Sequence, residues 1–490
     1  MDINQPESVT QKAVGAIKWS ALMEVVPRAI SPIVFLVLAR LLTPEDFGMM
    51  STALIVISFS QIFWDAGLGK ALVQIKEKPE EAANVVFWTN LGLGIVTYIV
   101  LFLAAPWLAA FFNSIASRSV FRVLGLQVLI ASLASVQSAL FMRDLAFRQL
   151  FWIKLVTALV PGFFSIPLAF FGYGVWALVA GSLAGSLLNL ALVWAKSMWR
   201  PQIRFDCDLA HKLCGFGIWV VLEALAVWFY VWGDNLLIGK FIGMAELGIY
   251  SIAWNINSLI FGLLLNPFFP VLYPTFSRLW DNIQILKETF HKADTITISL
   301  VLPTGTALLL ISQQLVYTLF GTKWKSLGLV LGIIGFMHGI SWPLAINTEL
   351  YRAIGRPDVH TKLLLGGILY YLPAYLVAFP FGLEIFTLVR LGVEVILIPI
   401  QVCLCMRVLK ISPFYLWHDG KSIVMATLVM ALVIVGSKGV FALSTNNLPD
   451  LLILLALIIE GAVVYGGALW LLDRRLVLQM QALITRVVLT

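Results

Sequence analysis

Two acid–base pairs sit inside long apolar stretches of this chain, Glu24 with Arg28 and Arg390 with Glu394. In each, the partners are four residues apart, so they share one face of a helix. A charge at bilayer depth costs roughly 2.5–3.5 kcal/mol on insertion scales, and it persists where it pairs or lines a wet cavity. A guanidinium offers a planar fork of donors that fits phosphate or carboxylate. The functional reading is that Arg28, Glu24, Arg390 and Glu394 line an aqueous central cavity and meet an anionic, polar substrate. The alternative is two structural clamps, each neutralising its own charge. Pro27 and Pro32 beside Arg28 favour function, because proline frees backbone carbonyls and kinks a helix where protein or water can receive them.

Further ionisable groups lie in or at the ends of the apolar stretches. Asp65 and Asp234 sit at stretch ends, where solvation is the plain alternative to a gating role. Glu223 is deeper and suits a protonatable coupling group or a pair with a neighbouring helix. His338 reads as a satisfied core histidine, and Glu349 and Glu460 complete the set. Asn235 and Asn255 are cavity candidates, their amides suited to sugar hydroxyls. With Asn257 and Asn266 they serve interhelical contacts equally well.

The elements that position these groups follow from composition. Sixty percent hydrophobic residues, 12% charged residues and a mean hydropathy of +0.94 exclude an ordinary soluble domain. Crossing a hydrocarbon core takes about 20 apolar residues, and about fourteen such stretches alternate with short polar turns. No connecting segment is long enough to fold as a soluble domain. The expectation is an all-α polytopic membrane protein of about fourteen transmembrane helices. The segment 1–11 carries no Lys or Arg and no small-residue cleavage pattern, so the first apolar stretch is expected to remain as an anchor.

Of the 33 Lys and Arg residues, about 24 fall in every second connecting segment and about 7 in the alternate ones. That asymmetry places both termini in the cytoplasm, with Gly172-Tyr173-Gly174 and Pro380-Phe381-Gly382 as outer turns. The net charge of +7 is mostly this topology signal, and no basic soluble face exists to bind nucleic acid. Trp19, Trp64, Trp107, Trp194, Trp324 and Trp470 lie near expected helix ends and read as membrane-interface markers. Cys207, Cys214, Cys403 and Cys405 map to or near inner ends, where disulfides rarely persist. Cys403 and Cys405 point to different helix faces, and no metal site is expected there.

An internal repeat runs at an offset of 200 residues. Lys12, Gly15, Trp19, Leu22, Leu36, Gly48, Ser51, Ala53 and Ser58 are matched by Lys212, Gly215, Trp219, Leu222, Leu236, Gly248, Ser251, Ala253 and Ser258. Both copies start on the cytoplasmic side. The repeat predicts two six-helix lobes, 1–205 and 206–410, related by a parallel pseudo-twofold axis along the membrane normal, with two C-terminal helices in 411–490.

Catalytic constellations are hard to find. A glycosyltransferase or polymerase needs acidic residues gathered on a sizeable extramembrane loop, and the outer turns are short and poorly charged. There is no Walker A sequence or Gly-rich phosphate loop, so ATP hydrolysis by this chain is excluded. Work must come from a proton or sodium gradient or from consumption of the product; no cofactor is expected.

The order of local motifs resembles bacterial Wzx-type polysaccharide exporters of the MOP superfamily, which also holds the MATE exporters and the lipid II flippase. The motifs include Gly15-x-x-Lys18-Trp19-Ser20, Ala39-Arg40-Leu41-Leu42 before Phe47-Gly48, and Asp65-Ala66-Gly67 leading to Val73-Gln74. Arg143-Asp144-Leu145-x-Phe147, Asn266-Pro267 through Phe276, and Gly321-x-Lys323-Trp324 continue them. The match is nearest the colanic acid and succinoglycan exporter branch and runs from about residue 12 to residue 410. The resemblance implies a flippase for undecaprenyl-pyrophosphate-linked oligosaccharide repeat units, working by alternating access in the bacterial inner membrane. It implies membrane lipid, a polysaccharide polymerase and a chain-length regulator as partners. Relatives place cations in the central cavity, and Arg28 occupies a comparable place. Competing readings are a MATE-like cation-coupled exporter, which the deep arginines oppose, and a membrane glycan polymerase, which lacks its loop.

Overall fold

The computed structural model describes residues 34–65, 68–74, 79–203, 217–266, 268–410, 413–443 and 449–478, with Trp19, Pro32, Asp206, Met480 and Gln481. Glu24, Arg28, Cys207, Cys214 and the side chain of Glu223 lie outside the described residues. Among the described residues the chain is helical, with no strand.

The helices run α1 Pro44–Asp65, α2 Leu68–Gln74, α3 Pro79–Phe111, α4 Ser117–Leu124, α5 Leu126–Arg143, α6 Phe147–Phe170, α7 Val175–Lys196 and α8 Gly217–Phe241. They continue as α9 Met244–Leu265, α10 Phe269–Leu279, α11 Ile283–Phe320, α12 Lys325–Ser341, α13 Ala345–Ala353, α14 Pro357–Ala378, α15 Gly382–Leu409, α16 Pro413–Leu443 and α17 Asp450–Leu472. Eleven stretches of the described residues are long and apolar enough to cross a membrane. One of them, Asp358–Leu409, is two helices, α14 and α15, joined at Phe379–Phe381. α8 is a further helix of spanning length, 25 residues. Most of the first expected span lies outside the described residues, and the expectation of about fourteen is compatible with what is seen.

Local chemistry sets the turns. Thr43 caps α1: its N–H and hydroxyl donate to Asp46 Oδ2 at 2.9 and 2.7 Å, and the Asp46 N–H donates back to Thr43 Oγ1 at 3.3 Å. Pro44 follows as the first helical residue, where its missing N–H costs nothing. Between α6 and α7, Gly172 and Gly174 take φ of +82° and +55°, conformations that only glycine adopts without strain.

The chain divides into two compact units, residues 1–248 and 249–490. In the first, α8 packs on α1, with Trp228 Nε1 donating to Ser58 Oγ at 2.9 Å and the Trp228 ring 4.9 Å from Phe59. That contact draws α8 into the first unit although the repeat starts its second copy near residue 206. Two matched positions of the repeat also meet here. A β-carbon on Gly48 would collide with the Met244 carbonyl, and one on Gly248 with the Pro44 carbonyl. Residues 44 and 48 answer 244 and 248 in the 200-residue offset, so the close approach is reciprocal in sequence.

The second unit is organised by α11 and α12. Gly328, Gly332, Gly335 and Gly339 line one face of α12 against α11. A β-carbon on Gly305 of α11 would lie 2.6 Å from the Gly335 carbonyl oxygen and 2.8 Å from Gly339 Cα. Small residues are how membrane helices reach this separation. α16 and α17 pack onto α11 through Ile311, Met430, Ile434, Leu454 and Leu457. Pro303 inside α11 lacks the N–H that would bond the Ser299 carbonyl, and the Tyr465 hydroxyl of α17 supplies the donor at 2.7 Å.

Trp324 and Trp64 depart from the interface reading: both are buried, because each is enclosed by neighbouring helices before it reaches a membrane surface. Trp107 and Trp470 do face outward.

Gly305→Val forces backbone to move and should cost about 1–3 kcal/mol or more. The expected outcome is loss of the monodisperse peak in size-exclusion chromatography of detergent-extracted protein. Gly436→Ala, where a β-carbon meets nothing within 4 Å, should behave as the parent chain.

Candidate functional site

Arg390 and Glu394 fall on one face of α15, and Phe386 begins that face one turn earlier. Three helices of the second unit close around them. α9 brings Tyr250 and Trp254, α14 brings Tyr371 and Tyr375, and α12 brings His338. Both aromatic pairs are spaced i and i+4, which sets two rings above one another on one helix face.

The Arg390 guanidinium lies 4.7 Å from the centre of the Trp254 ring and 5.8 Å from that of Tyr250. Its Nη1 donates to the Tyr250 hydroxyl. Glu394 accepts from the Tyr371 hydroxyl. Arg390, Glu394 and Tyr371 are half-buried, while Tyr250 and Phe386 are fully buried. The rings brace each other: Tyr375 is 4.7 Å from Phe386, Tyr371 is 5.6 Å from Tyr375, and Tyr250 is 6.2 Å from Phe386. Behind them His338 is buried, its Nδ1 2.9 Å from the Ile334 carbonyl and its ring 5.0 Å from Trp254. This is the core histidine the sequence implied.

The order of the pair explains why the neighbours matter. Within a helix an acid placed four residues before a base is the favoured arrangement, and here the base comes first. Each member has a hydrogen bond with a tyrosine from another helix. Stacking uses the flat faces of the guanidinium, and recognition of a doubly hydrogen-bonding anion uses its in-plane N–H edges. The arrangement can hold a cation in one orientation at membrane depth.

The other candidates are placed as follows. Asp234 and Asn235 are both buried in α8, with the Asn235 N–H and Nδ2 donating to Asp234 Oδ1 at 2.7 and 2.9 Å. Asp65 ends α1 and is half-buried. Asn255 is exposed on α9, on a different side from buried Asn257. Asn257 is an interhelical contact: its Nδ2 donates to the Ala253 carbonyl at 2.9 Å and to the Leu331 carbonyl of α12 at 3.1 Å. Glu349 pairs with Arg352 at 3.3 Å, and Glu460 accepts from Ser437 at 2.6 Å. Glu24, Arg28 and the Glu223 side chain lie outside the described residues.

Sequence reasoning missed Tyr250, Trp254 and Tyr371, whose signal is the pair of i, i+4 aromatic spacings inside apolar stretches. It also missed Lys438, which lies inside an apolar span of α16 and donates to the Leu310 carbonyl of α11 at 2.7 Å.

Tyr371→Phe removes the donor to a half-buried carboxylate and should lower stability by about 1–3 kcal/mol. Thermal unfolding of the detergent-purified protein should show a reduced midpoint, and the exposed neighbour Tyr370→Phe should leave it unchanged.

A family described as polysaccharide biosynthesis protein matches residues 37–328. The succinoglycan biosynthesis transport protein ExoT of Rhizobium meliloti is 25% identical over 341 residues, covering 70% of this chain and 69% of the relative. The lipopolysaccharide biosynthesis protein WzxC of Escherichia coli is 24% identical over 381 residues, covering 76% of each chain. Among solved structures, a lipid II flippase in an inward closed conformation superposes with a TM-score of 0.76 at 14% identity. That likeness covers 94% of this chain and 100% of the other, and it establishes a shared fold.

Proposed function

We propose that this chain, which belongs to the polysaccharide biosynthesis protein family, is a flippase that moves lipid-linked oligosaccharide across a membrane. The observation that carries the reading is the family match over residues 37–328. The chain is a multi-pass membrane transporter rather than an enzyme. Its relatives are named for transport and biosynthesis of succinoglycan and of lipopolysaccharide.

The cargo we assign is an undecaprenyl-pyrophosphate-linked repeat unit, carried by alternating access across a bacterial inner membrane with both chain termini in the cytoplasm. Arg390 is the residue we place against the anionic linkage or an acidic sugar. Arg28, with Glu24 beside it in sequence, is the second cation we assign to the same task. A guanidinium favours an anion over a cation, which weighs against export of cationic drugs. Asp65, Glu223 and Asp234 are the groups we assign to gating or to coupling with a proton or sodium gradient. Asn235 and Asn255 are assigned to sugar hydroxyls. A polysaccharide polymerase and a chain-length regulator are the partners that would receive the product.

Losing one charge-assisted contact costs about 2 kcal/mol, roughly thirtyfold in binding. In cells that depend on this exporter, Arg390→Ala should reduce surface glycan by about that factor at unchanged membrane abundance. Arg390→Lys should recover only part, because a point charge lacks the fork. Normal export by Arg390→Ala, or failure through loss of the protein alone, would assign Arg390 to structure.

Topology is tested separately. A cysteine replacing exposed Tyr173 should react with an impermeant thiol reagent in intact cells, and one replacing exposed Ile203 only after permeabilisation. The reverse pattern would invert the assigned orientation.

A further inference from the structure

A groove of about 380 Å³ runs between α14 and α15 in the second unit. It lies within the apolar stretch Asp358–Leu409 and is charged at one end only, by Arg356, Asp358 and Lys362. Below that rim the walls are apolar, formed by Leu363 and Gly366 of α14 and by Leu397 and Leu404 of α15, with Gln401 as a polar exception. A β-carbon on Gly366 would meet nothing within 4 Å, so the missing side chain there is part of the open space.

We infer that this groove binds an anionic phospholipid, with the phosphodiester at Arg356 and Lys362 and one acyl chain along Gly366. The argument begins with the solvent. An apolar groove inside a membrane span is filled by hydrocarbon, because water there would lose its hydrogen bonds. Depth fits a chain: from Lys362 to Tyr370 the wall of α14 extends about 12 Å at the helical rise.

The rim then selects the headgroup. Asp358 accepts from Arg356 Nε at 3.0 Å and from Nη2 at 3.4 Å, and from Lys362 Nζ at 3.0 Å. One carboxylate thus ties two cations side by side and leaves one net positive charge. Arg356 and Lys362 are 57% and 77% exposed, so both reach the headgroup layer with donors to spare. A phosphodiester carries one negative charge and matches that rim. A sugar pyrophosphate carries more charge, and a long polyisoprenoid would overrun a groove this short. The lipid therefore comes from the bulk membrane rather than from the transported carrier, and the inference does not rest on the flippase reading.

The test uses the full chain in detergent, with lipid retention read by native mass spectrometry. The probes are dioleoyl phosphatidylglycerol, dioleoyl phosphatidylcholine and undecaprenyl phosphate. Phosphatidylglycerol should be retained in preference to phosphatidylcholine, which has the same chains without net charge. Each of Arg356→Gln and Lys362→Gln should weaken phosphatidylglycerol retention about fivefold, the worth of one charge near an anionic lipid. Gly366→Leu should fill the groove and release both phospholipids alike; if it fails to fold, the exposed charge variants decide. Equal retention of the two phospholipids, charge variants that bind as the parent does, or undecaprenyl phosphate displacing phosphatidylglycerol at lower concentration would each overturn the inference.

Discussion

The hydrocarbon core of a bilayer donates and accepts no hydrogen bonds, and the internal contacts of this protein answer to that constraint. Many hydroxyls inside the spans return to their own helix: Thr52 donates to the Met49 carbonyl, Thr306 to Leu302, Thr387 to Leu383 and Thr427 to Ile423. Groups that cannot be satisfied locally become ties between helices. The Trp194 indole donates to the Leu133 carbonyl at 3.0 Å, joining α7 to α5. The carbonyl that Pro303 frees in α11 is taken by Tyr465 of α17. Lys438 reaches across to α11 as well, so the last two helices are fastened to the second unit by polar contacts as well as apolar ones. A lost tie would leave a bare polar group in lipid, which makes these few bonds more decisive than similar bonds at a water-facing surface.

The same constraint explains where the glycines fall. Lipid tails are as apolar as leucine, so burying leucine between two membrane helices gains little, and close van der Waals packing must supply the attraction. Gly305 brings its backbone against Gly335 and Gly339, and Gly181 makes room for the Ser165 hydroxyl and for the Pro161 carbonyl, 2.8 Å from its absent β-carbon. The meeting of Gly48 with Met244 and Gly248 with Pro44 adds symmetry to this principle. Each copy of the repeat contributes one glycine and one carbonyl, so a change in either copy breaks half of a matched contact.

What could be read from sequence follows the distance over which each feature acts. Apolar length, the Gly172 turn and the Thr43–Asp46 reversal are local, and the chain writes them plainly. The repeat is readable because it is a comparison of the chain with itself, and Gly48 and Gly248, two of its matched positions, each come close to a carbonyl, those of Met244 and Pro44. Trp324 and Trp64 misled because nearness to a helix end says nothing about which neighbours enclose a ring. The surroundings of Arg390 were hidden for the same reason: Tyr250 is 140 residues away in sequence, and no local spacing records that meeting. Lys438 escaped notice because its partner is a backbone carbonyl, which any sequence could offer. Glu24, Arg28 and Glu223 rest on their spacing alone.

How Arg390 is held bears on what it can do. A guanidinium locked to a carboxylate at low dielectric must surrender a strong Coulombic partner before it can accept a new anion. Among the contacts of Arg390 are the face of Trp254 and the hydroxyl of Tyr250, worth about 0.5–2 kcal/mol each. On the role proposed for Arg390, an arriving phosphate would exchange with the phenol, while the ring stack would stay in place and keep the fork aimed. Glu394, one turn along α15 and hydrogen-bonded by Tyr371, adds negative charge near the same point. That charge would lower the affinity for an anion bound in the proposed role and so favour its release. A strong site would trap a charged cargo midway through the membrane, whereas a cation offset in this way would, in the proposed role, bind well enough to admit the cargo and weakly enough to let it leave.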